Sequence, residues 1–371
     1  MDESIDIIES RGRGAVSNQT GRFEKARRSL FDDGWNTVDT APKQLSTEVH
    51  LETPRAIITR NTSPDVPFEQ SLNAYRGCEH GCVYCFARPS HAYMGLSAGL
   101  DFETQLFAKP NAASLLEKEI TRPGYVPKTI ALGTNTDPYQ PIERQLRLTR
   151  QILEVLERHT HPVSIVTKSD RILDDLELIA RLAKKGLVSV GISITTLDRK
   201  LARTLEPRAA TPARRLAAME ALAAKGVPVT VMMAPVIPAL TDHEIERILA
   251  AAANAGAHHA AWVMLRLPGE VAPLFSQWLG RHAPDKKARV LGHLRAMRDG
   301  KLNDPRFGHR MRGAGPYADL IQRRFTLAAK RHGLKVATRE VADPFKRSAI
   351  ATSVLSLPKT RQTAPQQLSL F

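Results

Sequence analysis

The feature that most constrains this chain is the position of its only three cysteines, Cys78, Cys82 and Cys85, which fall within one short segment. Cysteines this close together do not cross-link distant parts of a fold, so we predict free thiols in a reducing compartment. Thiolates bind soft metals, and separations of three and then two residues let one loop surround one metal centre. The segment therefore predicts a metal site.

Three thiolates are one ligand fewer than a closed zinc site or a fully ligated 4Fe-4S cluster needs. A missing protein ligand leaves one coordination position open for a substrate. Two alternatives remain at this point, namely zinc held by the three cysteines and His80, or buried thiols without a metal. His80 lies between the first two cysteines, where reaching the same ion is awkward. Inert buried thiols are not expected to cluster beside Gly77 and Gly81.

Short apolar runs alternate with segments able to form helices, which predicts parallel strands joined by helical crossovers. The predicted strands are Leu72–Tyr75, Thr129–Leu132, Val163–Thr167, Val188–Ile194, Val229–Met233 and Ala261–Leu265. Asp170 and Asp242 are placed to cap later helices, and Gly186 and Gly226 to end them. Six such units fit either a doubly wound sheet or a full or partial TIM-like barrel, and their spacing does not choose between these folds.

The chain divides into four predicted regions. Residues 1–62 lack sustained periodicity and predict a basic, flexible, extended arm, and residues 63–300 form the core. Residues 301–355 predict a helical extension built on a helix from Pro316 to about Arg331, and residues 356–371 a flexible tail.

The formal net charge of +15 favours polyanions such as DNA or RNA, although a solvated arginine-rich surface accounts for the same charge. The basic residues predicted to contact phosphates are Arg11, Arg13, Arg22, Lys25, Arg27, Arg28, Arg310, Arg312, Arg323, Arg324, Lys330 and Arg331. Apolar runs are too short for a membrane span, and the start is too acidic for a secretory signal, so we expect no membrane association and a cytoplasmic location.

The spacing C-x3-C-x2-C, with Tyr84 directly before the third cysteine, resembles the signature of the radical SAM superfamily. The resemblance implies that Cys78, Cys82 and Cys85 bind three irons of a 4Fe-4S cluster, whose fourth iron chelates S-adenosylmethionine (SAM), and that Tyr84 lies beside the adenine. It also implies an α/β fold with a partial (β/α)6 TIM-like barrel, and an external electron donor, either a flavodoxin or a ferredoxin.

The segments RGCEHGCVYCFAR, GTNTDPYQPIE, VTKS, SITT, LEPR and APVIP narrow the resemblance to the branch that contains spore photoproduct lyase, over about residues 65–270. RGRGAVSNQTGRFE and FGHRMRGAGPYADLI resemble one bacterial subgroup of that branch, from which no particular reaction follows.

The resemblance implies SAM contacts at the carboxyl ends of the strands. Lys168 would bind the methionine carboxylate, Glu206 the ammonium or ribose, and Arg208 either Glu206 or the carboxylate. The remaining implied contacts are Thr134, Asn135, Asp137, Ser169, Ser193 and the backbone of Ala234. Purely structural roles stay open for three of these elements: an Asx turn for the loop after the second strand, a polar filler for Ser193, and a surface ion pair for Arg208.

Spore photoproduct lyase uses an additional cysteine to return a hydrogen atom, and this chain has no cysteine beyond the three in the loop. We therefore do not expect dimer splitting with that donor, and consider Tyr139 and Tyr93 as replacements. The predicted function is a radical SAM enzyme that abstracts hydrogen from nucleic acid. The alternatives are a radical SAM enzyme acting on a protein side chain or a small metabolite, and a non-catalytic nucleic-acid-binding protein with zinc.

Overall fold

The computed structural model describes residues 12–24 and 45–336. Its strands are β1 Glu48–Leu51, β2 Ile58–Arg60, β3 Gln70–Leu72, β4 Tyr75–Arg76, β5 Gln105–Ala108, β6 Ile130–Leu132, β7 Val163–Thr167, β8 Val188–Ser193, β9 Val229–Val236, β10 His259–Met264 and β11 Lys335–Val336. Its helices are α1 Asp101–Thr104, α2 Ala112–Ile120, α3 Glu143–Leu146, α4 Leu148–Arg158, α5 Leu176–Lys184, α6 Arg199–Leu205, α7 Pro212–Ala224, α8 Ile245–Asn254, α9 Val271–His282, α10 Pro284–Ala296 and α11 Pro316–Arg331. Short 3-10 helices span Arg88–Met94, Asp170–Asp175 and Asp242–Glu244.

Eight of these strands form one sheet in the order β11-β10-β9-β8-β7-β6-β3-β2. Neighbours from β3 to β11 are parallel, and β2 alone pairs antiparallel. From β3 onward the spatial order follows the chain order, without the reversal that defines a doubly wound sheet. The protein therefore has an α/β fold with a mostly parallel sheet, ordered as in a barrel and open between β2 and β11.

Five of the six predicted strands are confirmed with small shifts of their ends, but the first is wrong in its bounds. The predicted strand Leu72–Tyr75 is divided at Asn73. β3 enters the large sheet, whereas β4 pairs with β5 in a second sheet that also contains β1. The Asn73 side-chain amide donates to Thr134 Oγ1 at 3.0 Å. Its backbone carbonyl oxygen accepts from the Lys109 side chain at 3.0 Å.

The helices cover the sheet with apolar faces, as the periodicity predicts. α4 buries Ile152, Leu153 and Leu156, whereas Leu146 belongs to the separate helix α3 because Arg147 adopts a left-handed backbone with φ 49°. The predicted C-terminal helix is confirmed as α11 and packs on α8. No helix in the part of the chain that the structure describes is long and apolar enough to cross a bilayer.

Of the four predicted helix ends, the two C-terminal glycines are confirmed and the two N-caps are wrong. Gly186 and Gly226 follow α5 and α7 with φ of +67° and +74°, as helix-terminating glycines do. Asp170 is not an N-cap, because the preceding Ser169 hydroxyl accepts from the Arg171 amide at 3.2 Å. Asp242 likewise does not cap its helix, since its carboxylate accepts a hydrogen bond from the Tyr317 hydroxyl.

The described parts of residues 1–62 do not form an extended arm. β1 and β2 pair with strands of the two sheets, and Ala15 and Ser17 are buried. Arg13 is buried too, because its guanidinium donates to the carbonyl oxygens of Glu103 at 2.8 Å and Leu45 at 2.7 Å. The predictions made for Arg11, Lys25, Arg27, Arg28 and the tail 356–371 lie outside the described residues, and the division into four regions stays a prediction.

Candidate functional site

The three cysteines lie on one loop between β4 and the 3-10 helix Arg88–Met94. Two glycines with positive φ, Gly77 and Gly81, shape the loop on either side of Cys78. The Cys78 amide donates to the Phe102 carbonyl oxygen at 3.0 Å, which anchors the loop to α1. Cys78 and Cys82 are buried and Cys85 is half-buried, so one thiol is nearer to solvent than the other two.

The chemistry of this loop fits a metal cluster. Burial raises the pKa of Cys78, and Asp137 raises it further. Burial raises the pKa of Cys82 to about 12, and the nearby Glu206 adds to this. Thiols in such surroundings stay neutral at pH 7 unless a bound metal ion stabilises the thiolates, as metal ligation does outright. Thiolates at this site therefore need a bound metal cation to compensate their charge.

The zinc alternative with His80 as a fourth ligand is not supported by converging side chains. His80 Nδ1 lies 3.3 Å from Asp137 Oδ2, which leaves Nε2 for any metal contact. Among the described side chains, no three His, Cys, Asp or Glu residues converge on a single metal-ion position. A 4Fe-4S cluster binds each thiolate at a different iron and does not require such convergence.

Arg88 holds the loop from inside, although nothing in the sequence analysis singled it out. The side chain is fully buried and donates to the carbonyl oxygens of Cys82 at 2.9 Å and Gly81 at 3.1 Å. It also pairs with the Glu103 carboxylate at 2.5 Å. The available sequence signal was a pair of opposite charges 15 residues apart, both after the loop, which is too common to be specific.

Glu103 connects this ion pair to the N-terminal segment. Its two carboxylate oxygens accept from the backbone amides of Gly14 at 2.9 Å and Ala15 at 2.8 Å. Residues 12–17 therefore lie against the outside of the cysteine loop, as part of its support.

Glu206 is the centre of a buried polar network at the same edge of the sheet. Its carboxylate accepts from the Arg215 guanidinium, from the Tyr84 hydroxyl, and from Thr195 Oγ1 at 2.8 Å. Burial alone would raise the pKa of Glu206, but Arg215 and Lys168 hold it down to about 2. The carboxylate is thus ionised, and Tyr84 is fixed beside the cysteine loop.

Arg208 does not hold Glu206, contrary to one of the two roles expected for it. Its guanidinium lies 3.1 Å from Glu79 Oε1, and its backbone amide donates to the His80 carbonyl oxygen at 3.3 Å. Arg215, which the sequence analysis missed, takes the predicted place and also donates to the Ser193 carbonyl oxygen at 2.9 Å. Its position on α7 gave no sign of this, because only the fold brings that helix to Glu206.

Lys168 supplies a further positive charge beside this network. Its ammonium lies 5.9 Å from the centroid of the Tyr84 ring. It also lowers the pKa of Cys82, though less than burial and Glu206 raise it. It lowers the pKa of Glu206 too, though less than Arg215 does. Within the described residues no ion pair or hydrogen bond occupies its Nζ, which leaves the ammonium available for an anionic ligand.

The loop after β6 braces the cysteine loop. Asp137 accepts from Thr167 Oγ1 at 2.6 Å and from the Lys168 amide at 2.8 Å, and although burial would raise its pKa, His80 holds it at about 2. Its Oδ1 also accepts from the Tyr139 amide at 2.9 Å, so this loop does contain an Asx turn. Thr134 contacts Asn73 through its hydroxyl, and the exposed Asn135 does so through its amide.

The remaining predicted site residues differ in their burial and in their contacts. Ser169 caps a 3-10 helix, Ser193 ends β8 in a buried position, and Ala234 is half-buried within β9. Tyr139 is 1 % exposed and donates its hydroxyl to Asp175 at 3.1 Å, whereas Tyr93 is 74 % exposed and its ring contacts Phe23. Neither hydroxyl contacts the Glu206 network, so these positions do not favour the two tyrosines as hydrogen donors.

A cleft of about 460 Å³ lies on another side of the loop, lined by Glu79, Arg208, Leu45, Ser46, Thr47, Val49, Ile142 and Gln145. It contains none of the three thiols, and neither Lys168 nor Glu206. The candidate site is therefore defined by converging side chains rather than by this cleft.

Residues 72–252 match the Radical SAM superfamily, a span that contains the three thiols, Lys168, Glu206 and Arg215. This segment, just under half of the chain, is thus similar to the radical SAM domain. An uncharacterized protein of Mycobacterium tuberculosis is 42% identical to this chain over 226 residues, 60% of this chain and 66% of the relative. An uncharacterized protein of Methanocaldococcus jannaschii is 28% identical over 173 residues, 47% of this chain and 62% of the relative. The matches thus span just under two thirds of these relatives.

Solved structures of spore photoproduct lyase share the fold of this chain. The complex of that lyase with dinucleoside spore photoproduct superposes with a TM-score of 0.56 at 15% identity, over 78% of this chain and 81% of the lyase. A variant with bound AdoMet and dinucleoside spore photoproduct gives a TM-score of 0.55 at 16% identity over the same shares. Identity this low shows a common architecture and nothing further.

Proposed function

We propose that this enzyme holds a 4Fe-4S cluster on Cys78, Cys82 and Cys85, cleaves SAM reductively, and abstracts a hydrogen atom from nucleic acid or a nucleotide. The observation that carries the proposal is the pairing of a three-thiol loop with the unoccupied Lys168 ammonium, at the carboxyl edge of a parallel sheet where ligands of βα folds bind. The open sheet is the part of a (β/α)6 barrel that such an enzyme uses.

The protein residues bind and orient the cosubstrate. When bound, the cluster supplies the electron that breaks a carbon–sulfur bond of SAM. Lys168 binds the methionine carboxylate through a charge-assisted hydrogen bond, and the ionised Glu206 accepts from the ammonium or the ribose hydroxyls. Tyr84, whose hydroxyl is fixed by Glu206, presents its ring to the adenine, and Ser193 and Ala234 complete the pocket.

An external donor must deliver the electron, and we propose a flavodoxin or a ferredoxin in the reducing cytoplasm. The half-buried Cys85 and the 45 % exposed Phe86 mark the face of the loop nearest to solvent. Such a donor would dock at this face, because electron transfer requires close approach to the cluster.

Nucleic acid is supported as the substrate by the net charge of +15 and by the fold shared with a lyase solved with a dinucleoside photoproduct. Several basic residues do not serve this purpose, however. Arg13 is buried, Arg310 pairs with Asp65, and Arg324 pairs with Glu246. Any phosphate contact must therefore use other residues.

The substrate proposal is tested by hydrogen transfer. Reduced enzyme is incubated with SAM and oligonucleotides of DNA or RNA that carry deuterium on sugar and base carbons, and 5′-deoxyadenosine is analysed by mass spectrometry. We expect deuterium in the 5′-deoxyadenosine from at least one oligonucleotide. Production of unlabelled 5′-deoxyadenosine in every case would instead indicate a protein or small-metabolite substrate.

A further inference from the structure

A buried arginine without a partner lies outside the network described above. Arg298 follows α10 and is 1 % exposed, and none of its three guanidinium nitrogens has a hydrogen-bond partner in the described part of the chain. An isolated buried cation is strongly unfavourable, because it loses hydration without gaining an opposite charge. A bound anion would supply the missing charge and the missing hydrogen-bond acceptors.

A second arginine lies between Arg298 and the cysteine loop. Arg266 directly follows Leu265, just beyond the carboxyl end of β10, and its guanidinium lies 4.6 Å from the Phe86 ring centroid. Burial lowers the pKa of Arg266, and Arg310 lowers it further. Burial lowers the pKa of Arg298 to about 10, opposed by Asp304 and reinforced by Arg266. The two guanidinium groups are thus close enough to repel each other.

The nearby carboxylates are already used by other arginines. Arg310 donates to both oxygens of Asp65, at 2.7 and 2.5 Å. Arg306 donates to both oxygens of Asp304, at 3.0 and 2.6 Å. Neither carboxylate forms a hydrogen bond with Arg298, so the positive charge at this position is only partly balanced.

Backbone contacts place the segment that follows α10 and contains Arg298 at the carboxyl end of β10. The Met264 amide donates to the Met311 carbonyl oxygen at 2.8 Å, and the Leu267 amide donates to the Leu302 carbonyl oxygen at 3.3 Å. Residues 297–314 therefore cross the carboxyl end of β10. Phe86, whose ring lies under Arg266, is the residue directly after Cys85, so Arg266 lies beside the cysteine loop. Arg298 is near enough to Arg266 for the two charges to interact.

We propose that Arg266 and Arg298 form an oxyanion site that binds a phosphate group of the substrate beside the cysteine loop. A phosphate compensates both guanidinium groups at once and accepts from their planar forks, which suit bidentate phosphate recognition. The site rests on the proposed function, since it names the substrate class as phosphorylated. The phosphate is either a phosphodiester of nucleic acid or the free phosphate of a nucleotide.

The proposal is tested by binding to the anaerobically prepared holoenzyme, without turnover. Inorganic phosphate and a fluorescent 5′-phosphorylated dinucleotide are titrated into wild type, Arg266→Met, Arg298→Met and Arg298→Lys, and affinity and melting temperature are measured. Arg295→Met, on the exposed face of α10, is the matched control. We expect phosphate to stabilise wild type and the control, and both methionine variants to lose about tenfold or more in affinity, with Arg298→Lys between.

Arg298→Met is also expected to change the melting temperature differently with and without bound phosphate. Without phosphate, Arg298→Met melts above wild type, because an uncompensated buried charge is removed. Tighter binding of the dinucleotide than of its counterpart with a methylphosphonate linkage identifies a phosphodiester, and equal binding identifies the terminal phosphate. Unchanged phosphate affinity in Arg298→Met, or destabilisation of this variant with no phosphate effect on wild type, overturns the proposal. Because no reaction is involved, failure of SAM cleavage would contradict the proposed function separately.

Discussion

Gly14 lies directly against Gly81, so that a β-carbon on Gly14 would fall 1.8 Å from the Gly81 carbonyl oxygen. Glu103 reinforces this contact, because it accepts from the Gly14 amide and pairs with Arg88, whose guanidinium binds the same loop. Residues near the N-terminus therefore stabilise the cysteine loop.

Gly14→Ala is expected to displace the cysteine loop, because the added methyl group collides with backbone rather than with a flexible side chain. The variant should bind fewer irons per chain after reconstitution and melt at a lower temperature. Gly292→Ala is the control, since a β-carbon there meets no atom within 4 Å and an alanine favours α10. Equal iron content in the two variants would show that the N-terminal segment does not support the loop.

Lys168→Ala is expected to weaken SAM binding by about tenfold while leaving iron content and melting temperature unchanged. The ammonium forms no hydrogen bond or ion pair within the described structure, so its removal loses only the long contact with the Tyr84 ring and its electrostatic interaction with Glu206. A lost charge-assisted hydrogen bond corresponds to about 1.5–3 kcal/mol. Equilibrium dialysis with labelled SAM measures this, and wild-type affinity in the variant would remove Lys168 from the pocket.

Glu206→Ala is expected to affect stability as well as SAM binding. It leaves the buried Arg215 guanidinium without its carboxylate, a change that destabilises folds by about 3–5 kcal/mol. The exposed pair of Glu177 and Lys225 gives the comparison, where Glu177→Ala should change the free energy of unfolding by less than about 1 kcal/mol. Denaturant unfolding distinguishes the two, and similar losses would contradict the assignment of Glu206 as a buried anion.

The stability of the protein is expected to fall as the pH rises through 7 because of Glu143. Burial raises the pKa of Glu143 to about 7, with the Tyr75 hydroxyl and the Thr149 amide bonded to its carboxylate. The folded state thus favours the protonated form. Protonated Glu143 therefore contributes to the free energy of unfolding. This contribution is complete below about pH 4, where Glu143 of the unfolded chain is also protonated, and it is lost by about pH 8.

Glu143→Gln removes this titration, so its stability relative to wild type should increase from pH 5 to pH 8 by at most about 3 kcal/mol. Unfolding in urea at four pH values between these limits measures the difference. A constant difference at every pH would mean that Glu143 does not titrate in this range.

The sequence predicted the parts of the site that depend on local spacing. Three thiols on one loop and a lysine just after a strand can be recognised from neighbouring residues alone, and the alternation of apolar runs predicted the parallel strands. Arg215, Arg88 and Arg298 could not be recognised in this way. Each acquires its surroundings from elements distant along the chain, and buried arginines are rarely expected.

The error in the N-terminal region has the same origin. Gly14 and Arg13 stand in a stretch rich in glycine and arginine, which is typical of a flexible arm. Their partners are Gly81 and the backbone of Glu103, which local composition does not reveal.

The central claim is tested most directly by anaerobic reconstitution with iron and sulfide, followed by reduction with dithionite in the presence of SAM. We expect close to four irons per chain, as a 4Fe-4S cluster contains, together with 5′-deoxyadenosine and methionine as products. Cys78→Ala, Cys82→Ala and Cys85→Ala should lose both the cluster and the products. Stoichiometric zinc without iron, or a bound cluster that yields no 5′-deoxyadenosine from SAM, would contradict the account.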